Sequence, residues 1–178
     1  MTRPAYLLYS EMESPIGLLT LVRSKSGLCK IEFGAGETAL RTIERWCKRH
    51  FLVDQLQKDD LALFEIKQQL EQYFLGKRLS FEGELDVQGT AFQKLVWTVL
   101  QRIPYGELWS YKQVAQEMGS PKAVRAVGGA NNKNPLPIVI PCHRVVGSNG
   151  ALVGYGGGLS IKEKLIAIEE RETLDQLG

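Results

Sequence analysis

The chain is expected to fold as an α/β N-terminal domain, a small sheet plus helices, followed by a mainly α C-terminal domain with a helix-turn-helix. Three observations lead there. Short β-rich segments punctuated by turn residues crowd the first 35 positions. Apolar residues then recur at helical spacing. Past Gly83, helix-start signatures of the form S/T-x-x-E/Q take over. The expected division is residues 1–85 for the α/β domain and 86–178 for the helical one.

YLLYS (6–10), LLTLV (18–22) and CKIEF (29–33) read as strands, separated by Pro15, Gly17, Ser26 and Gly27. Leu40, Ile43, Trp46 or Cys47, and Phe51 mark one helical face; Leu61, Phe64, Leu70 and Phe74 mark a second, stopped by Gly76. Thr90 with Gln93, Ser110 with Gln113 and Ser160 with Glu163 each offer a side chain to orphan backbone donors at a helix start. The helices expected from these signals run from about Ala91 to Ile103, from Tyr111 to Met118, and over Ile161–Glu170. Ser120 with Pro121 opens a further helix to about Ala130. Ile138, Val139 and Ile140 read as a buried strand closed by Pro141.

Composition narrows the class. No apolar run approaches ~20 residues, so no membrane span is expected. MTRPAYLLYS lacks the apolar core of a signal peptide, so a cytoplasmic (or, in a eukaryote, nuclear) protein is expected. Cys29, Cys47 and Cys142 are too few and scattered for a disulfide framework, in keeping with a reducing compartment. The formal net charge is +2, yet residues 91–145 hold seven Lys/Arg against Glu107 and Glu117. That basic stretch points mildly to an anionic partner.

Four features bear on chemistry. SYKQVAQEMGSPKAVRAVGGANNKN joins two helices through Gly119-Ser120. Its second helix is built from Ala123, Ala126, Gly128 and other small residues around one long side chain, Arg125. Such a surface approaches a minor groove closely, while an ordinary helical hairpin has the same pattern. Cys142 is either a buried, inert thiol or a nucleophile activated by its neighbours His143 and Arg144. In extended backbone those neighbours point to opposite faces, so contact with His143 needs a turn or a water relay. Cys47-x-x-His50 lacks a full metal-ligand set, and no metal is expected. VGYGGGLS (153–160) matches no phosphate-loop pattern and reads as the rim of a site around Tyr155.

GTAFQKLVW, IPYGELWSY, AVRAVGGANNKNP, IPCHRVVGSNG and GYGGGLSIKEKLI, in this order over about residues 85–170, resemble the O6-alkylguanine-DNA alkyltransferases (the methylated-DNA–protein-cysteine methyltransferases). The resemblance implies direct-reversal repair without cofactor. An alkyl group passes irreversibly, once per molecule, from O6-alkylguanine in flipped-out double-stranded DNA to Cys142; O4-alkylthymine is a further substrate to consider. It also implies that His143 takes the thiol proton through water and that Glu169 orients His143. Tyr111 donates to the leaving guanine and Lys162 aids the departing oxygen. By the same likeness Arg125 fills the base stack, with Ser120, Ala123, Ala126, Gly128 and Tyr111 along the DNA. Asn134 braces the turn before Cys142, and Val145, Tyr155, Gly156 and Gly157 line the base pocket. Gly156 leaves room for substituents larger than methyl, and Arg144 is left with structural or backbone contacts. The expected partner is duplex DNA bound through its minor groove by a monomer. The alternative is a non-catalytic protein that binds alkylated-DNA lesions; a Cys-His hydrolase is a weaker rival.

Overall fold

A computed structural model describes residues 6–53 and 55–177. The first five residues of MTRPAYLLYS lie outside them. The chain divides into two compact units, one ending at Gln88 and one beginning at Gly89.

In the first unit, β1 (Leu7–Met12), β2 (Leu19–Ser24) and β3 (Gly27–Phe33) form an antiparallel meander. The short β4 (Leu56–Lys58) adds to it in parallel beside β1, giving the order β3-β2-β1-β4. The sequence did not reveal β4, because three residues are too few to show a period of two. Helix α1 (Gly36–Phe51) buries Ala39, Ile43 and Cys47, an i, i+4 stripe. Ile43 and Cys47 join Leu7, Val22 and Cys29 in one apolar cluster. Helix α2 (Phe64–Phe74) buries Leu70, Tyr73 and Phe74. The expected face there starts too early: Leu61 precedes the helix and is exposed, and Phe64 at its first residue is 51% exposed. First-turn side chains are not held over the core by a preceding turn.

The second unit is mainly helical. Helix α3 (Ala91–Leu100) opens with the Thr90–Gln93 capping box and α4 (Tyr111–Glu117) with Ser110–Gln113, both formed reciprocally. After Leu100 the chain tightens into single turns through Ile103, so α3 is shorter than expected. Helix α5 (Val124–Asn132) packs on α3 and α4, and Trp97 Nε1 donates to the Ala130 carbonyl at 2.8 Å. Two-residue strands β5 (Trp109–Ser110) and β6 (Val145–Val146) pair in parallel, and α6 (Leu159–Leu177) closes the unit.

Three expected element bounds are corrected. Ser120 and Pro121 do not start α5; the Ala123 amide bonds the Ser120 carbonyl, closing a turn, and the helix begins at Val124. Proline at the second position of such a turn is as well placed as at a helix start. Ser160 is the second residue of α6 rather than its cap, since the Gly158 carbonyl already accepts from Lys162. Ile138–Ile140 is not a strand. Pro135 and Pro137 lack ladder donors, and the Ile140 amide turns back to the Leu136 carbonyl at 2.8 Å. Ile138 sits at φ 76°, a conformation strained for a β-branched residue. Among the described residues, no helix is long and apolar enough to cross a membrane.

Candidate active site

The turn that replaces the expected strand positions the thiol. Asn134 holds it from both sides: its Nδ2 donates to the Ile140 carbonyl at 2.8 Å and its Oδ1 accepts from the Leu136 amide at 2.9 Å. The Asn134 side chain also hydrogen-bonds the Cys142 sulfur. Immediately after Pro141, residues Cys142–Arg144 form one turn of 3-10 helix, so consecutive side chains fan around an axis. This removes the opposite-face difficulty that extended backbone would impose.

Cys142, His143 and Arg144 are all buried. His143 Nε2 lies 2.6 Å from Glu169 Oε2 on α6. Burial alone would raise the Glu169 carboxyl. Hydrogen bonds and charge from His143 and Arg144 outweigh that and hold it well below the usual carboxylate range. An ionised carboxylate only accepts, so the Nε2–H must be the donor and Nδ1 carries the lone pair. Nδ1 is buried with no hydrogen bond to the described residues, and it is therefore the basic nitrogen of the site. Burial lowers the His143 pKa; Glu169 pushes it up, and Arg144 and Lys162 push it down again.

The thiol itself is pushed up to about 11, by burial first, with partial relief from Asn134, the Lys162 charge and Tyr155. At neutral pH it rests as a thiol, so reaction requires its proton to be taken. Lys162, wholly buried, is drawn down to about 8 by burial, against the opposing pull of Cys142. Its ammonium lies 5.8 Å from the Tyr111 ring and 6.0 Å from the Tyr155 ring. Tyr111 Oη and Lys162 Nζ both donate to one acceptor, the Val153 carbonyl, at 2.7 and 3.0 Å.

The sequence-derived residues thus separate into two groups. Cys142, His143, Glu169, Tyr111, Lys162, Tyr155 and Asn134 meet around the thiol. Val145 is fully buried in β6 behind it. Gly156 and Gly157 lie in the loop before α6. A Cβ on Gly156 would come within 2.9 Å of the Asn132 carbonyl, so glycine here lets the loop seat on the end of α5. Arg125 and Ala126 are exposed on α5 and Ser120 is exposed in the turn before it. Ala123 is half-buried at the helix cap, and Gly128 faces the Tyr111 ring.

Sequence reasoning missed Asn131, Tyr105 and Gly106, and undervalued Arg144. Asn131 Nδ2 reaches the Cys142 carbonyl at 3.3 Å, and its side chain also bonds Tyr111. Arg144 Nε and Nη2 reach the two Glu169 oxygens at 2.8 and 3.2 Å, and Nη1 donates to the Ile103 carbonyl at 2.7 Å. The Gly106 amide donates to Glu169 Oε1 at 3.2 Å. Its φ of +81° and the Thr173 hydroxyl, 2.4 Å from where a Cβ would stand, both require glycine. Only the adjacency of Arg144 to His143 hinted at this; Asn131 meets Cys142 across 11 residues, and the partners of Arg144 and Gly106 lie 25 to 63 residues away. Among the described residues no group of three or more His, Cys, Asp and Glu side chains is placed to hold a metal. His50 packs against Trp46 in a tilted contact, ring centroids 4.8 Å apart, and Cys47 is buried in the core of the first unit.

Residues 7–87 match the family description "6-O-methylguanine DNA methyltransferase, ribonuclease-like domain", and residues 91–171 match the corresponding "DNA binding domain". A methylated-DNA–protein-cysteine methyltransferase of Methanosarcina acetivorans is 43% identical over 161 residues, 90% of this chain and 97% of that one. The constitutive enzyme of that name from Bacillus subtilis is 43% identical over 163 residues, 90% of this chain and 94% of its own. Among solved structures, the Mycobacterium tuberculosis protein OGT in complex with DNA superposes with a TM-score of 0.80. It is 41% identical and covers 93% of this chain and 94% of that one.

Proposed function

The chain belongs to the 6-O-methylguanine DNA methyltransferase family, and from that premise we propose that Cys142 accepts the alkyl group of O6-alkylguanine in DNA. The protein is a methylated-DNA–protein-cysteine methyltransferase and acts by direct reversal. The observation that carries the residue assignment is the buried thiol beside an imidazole whose far nitrogen is locked on Glu169.

His143 Nδ1 takes the thiol proton, relayed by a water. The sulfur attacks the alkyl carbon, the C–O bond breaks, and its electron pair stays on the guanine. The guanine recovers a proton in place of the alkyl group, so the net exchange is one thiol hydrogen for one alkyl group. The C–S bond formed is a stable thioether, and each molecule acts once. Tyr111 and Lys162 stabilise the leaving guanine by donating to it. Tyr111, whose single O–H now goes to the Val153 carbonyl, reaches it by giving that carbonyl up, whereas the Lys162 ammonium has further N–H groups to offer.

A thiol buried this deeply is reached only by a base that has left the duplex. The exposed Arg125 occupies the gap, and the small residues of α5 let the α4–turn–α5 unit enter a minor groove as a helix-turn-helix. The protein acts as a monomer in the cytosol.

Intact-protein mass spectrometry after mixing with duplex DNA containing O6-methylguanine tests the assignment. One methyl group per protein, on the peptide holding Cys142 and absent in Cys142→Ala, is expected. Binding without mass change leaves a lesion binder, and release of product over many turnovers leaves a hydrolase.

A further inference from the structure

Arg144 occupies a place that structural contacts alone do not explain. Its guanidinium takes both oxygens of Glu169 at 2.8 and 3.2 Å, while His143 holds one of the same oxygens at 2.6 Å from the other side. The third guanidinium nitrogen is tied to the Ile103 carbonyl, and the group lies 5.6 Å from the Tyr105 ring centroid. Arg144 therefore has little freedom to leave the carboxylate, and Glu169 is saturated by His143, Arg144 and the Gly106 amide.

This saturation has a chemical effect. A buried carboxylate facing imidazole with no cation behind it attracts a proton onto the ring, giving an imidazolium whose Nδ1 is already protonated. Such a ring has no lone pair for the Cys142 proton. A guanidinium on the far side cancels the carboxylate charge while leaving its hydrogen bond to Nε2–H intact, so tautomer and basicity are set separately. We propose that Arg144 is a positioning residue of the alkyl transfer: paired with Glu169, it keeps His143 neutral and able to take the Cys142 proton. The proposal rests on the acceptor reading of Cys142.

Apart from Glu169, the charged and titratable groups around His143 add positive charge or are silent at neutral pH. Lys162 on α6 adds positive charge, and Cys142 on the same turn rests as a neutral thiol. Tyr105, from the loop before β5, is pushed up to about 12 by burial and by Glu169 and Glu172, and stays neutral. Only Glu169 favours the charged ring, and Arg144 is its counterweight.

The chain contains two histidines, so NMR titration of the ring resonances reads His143 directly with His50 as internal reference. In Arg144→Gln the His143 midpoint should rise by about one pH unit or more, as expected for unmasking one adjacent charge. The acid limb of the methyl-transfer pH–rate profile should move up with it. Arg144→Lys keeps a cation but loses the two-point grip, and a smaller rise is expected. An unchanged His143 titration in whichever variant folds would overturn the proposal, even with a lower melting temperature. If the wild-type protein itself gains no methyl group on Cys142, the acceptor reading fails instead.

Discussion

Tyr111 Oη accepts a hydrogen bond from the Asn131 side chain while donating its single proton to the Val153 carbonyl. That proton is available to a leaving guanine once the Val153 carbonyl is given up, and burial together with Cys142 raises the phenol's pKa, so it remains protonated. Tyr111→Phe keeps the ring beside Lys162 and removes the hydroxyl, both the donor and the acceptor that Asn131 uses. Single-turnover rates on O6-methylguanine DNA should fall about tenfold to a hundredfold with DNA affinity unchanged. An unchanged rate would remove Tyr111 from leaving-group stabilisation. Tyr111 and Lys162 were reached only through the family resemblance, whereas Cys142 and His143 were legible as candidates because each carries its own chemistry. Asn131 and Tyr105 were not, because an amide or a phenol acquires meaning only from the partner it is brought to. Arg144 shows the limit of adjacency as a clue: next to His143 in sequence, it acts on Glu169, 25 residues away.

At the scale of elements, α5 and the turn before Cys142 divide the work of bringing a base to the thiol. Arg125 is exposed on α5, whereas Cys142 is 3% exposed behind it. Arg125→Ala should therefore slow transfer from duplex DNA by about tenfold or more, the scale of a lost compensation for unstacking a base. Transfer from free O6-methylguanine base, which needs no flipping, should keep its rate. Equal losses on both substrates would remove Arg125 from flipping. The capping boxes at Thr90 and Ser110 were readable because a cap is local chemistry over four residues. Ser120-Pro121 and Ile138–Ile140 misled for the same reason reversed. Proline serves turns and helix starts equally, and an apolar β-branched run can be buried as a turn once prolines deny it ladder donors.

Across the whole molecule, all three cysteines are buried and hold their protons beyond the ordinary 9.0: Cys47 to about 12, Cys142 to about 11, and Cys29 further still. Burial is the first cause in each, and the sign follows directly. Below about pH 9 both folded and unfolded thiols are protonated, and the contribution to stability is complete. As pH rises past 9 the unfolded thiols ionise while the folded ones do not, and stability falls until the folded values are reached. Each thiol adds a slope of about 1.4 kcal/mol per pH unit in that window. Urea unfolding followed from pH 8 to pH 10.5 should show this loss, and Cys47→Ala should make it shallower for the first unit. A slope unaffected by the substitution would mean that Cys47 ionises as readily folded as unfolded.

By itself the sequence determined the division of labour: β-rich and helical patterns in the first part, capped helices in the second, and a Cys-His pair set beside basic, small-residue helices. These are properties of composition, spacing and neighbouring residues, which a chain carries before it folds. Tertiary structure alone decided that Pro141 leads into a 3-10 turn rather than away from a strand, and that Glu169 serves His143 and Arg144 together. It also decided that Tyr111 and Lys162 share one carbonyl. Apart from the Lys162–Val153 bond, which spans nine residues, these hydrogen bonds join residues 25 to 42 positions apart, are absent from any local pattern, and form only when burial removes water as the competing partner.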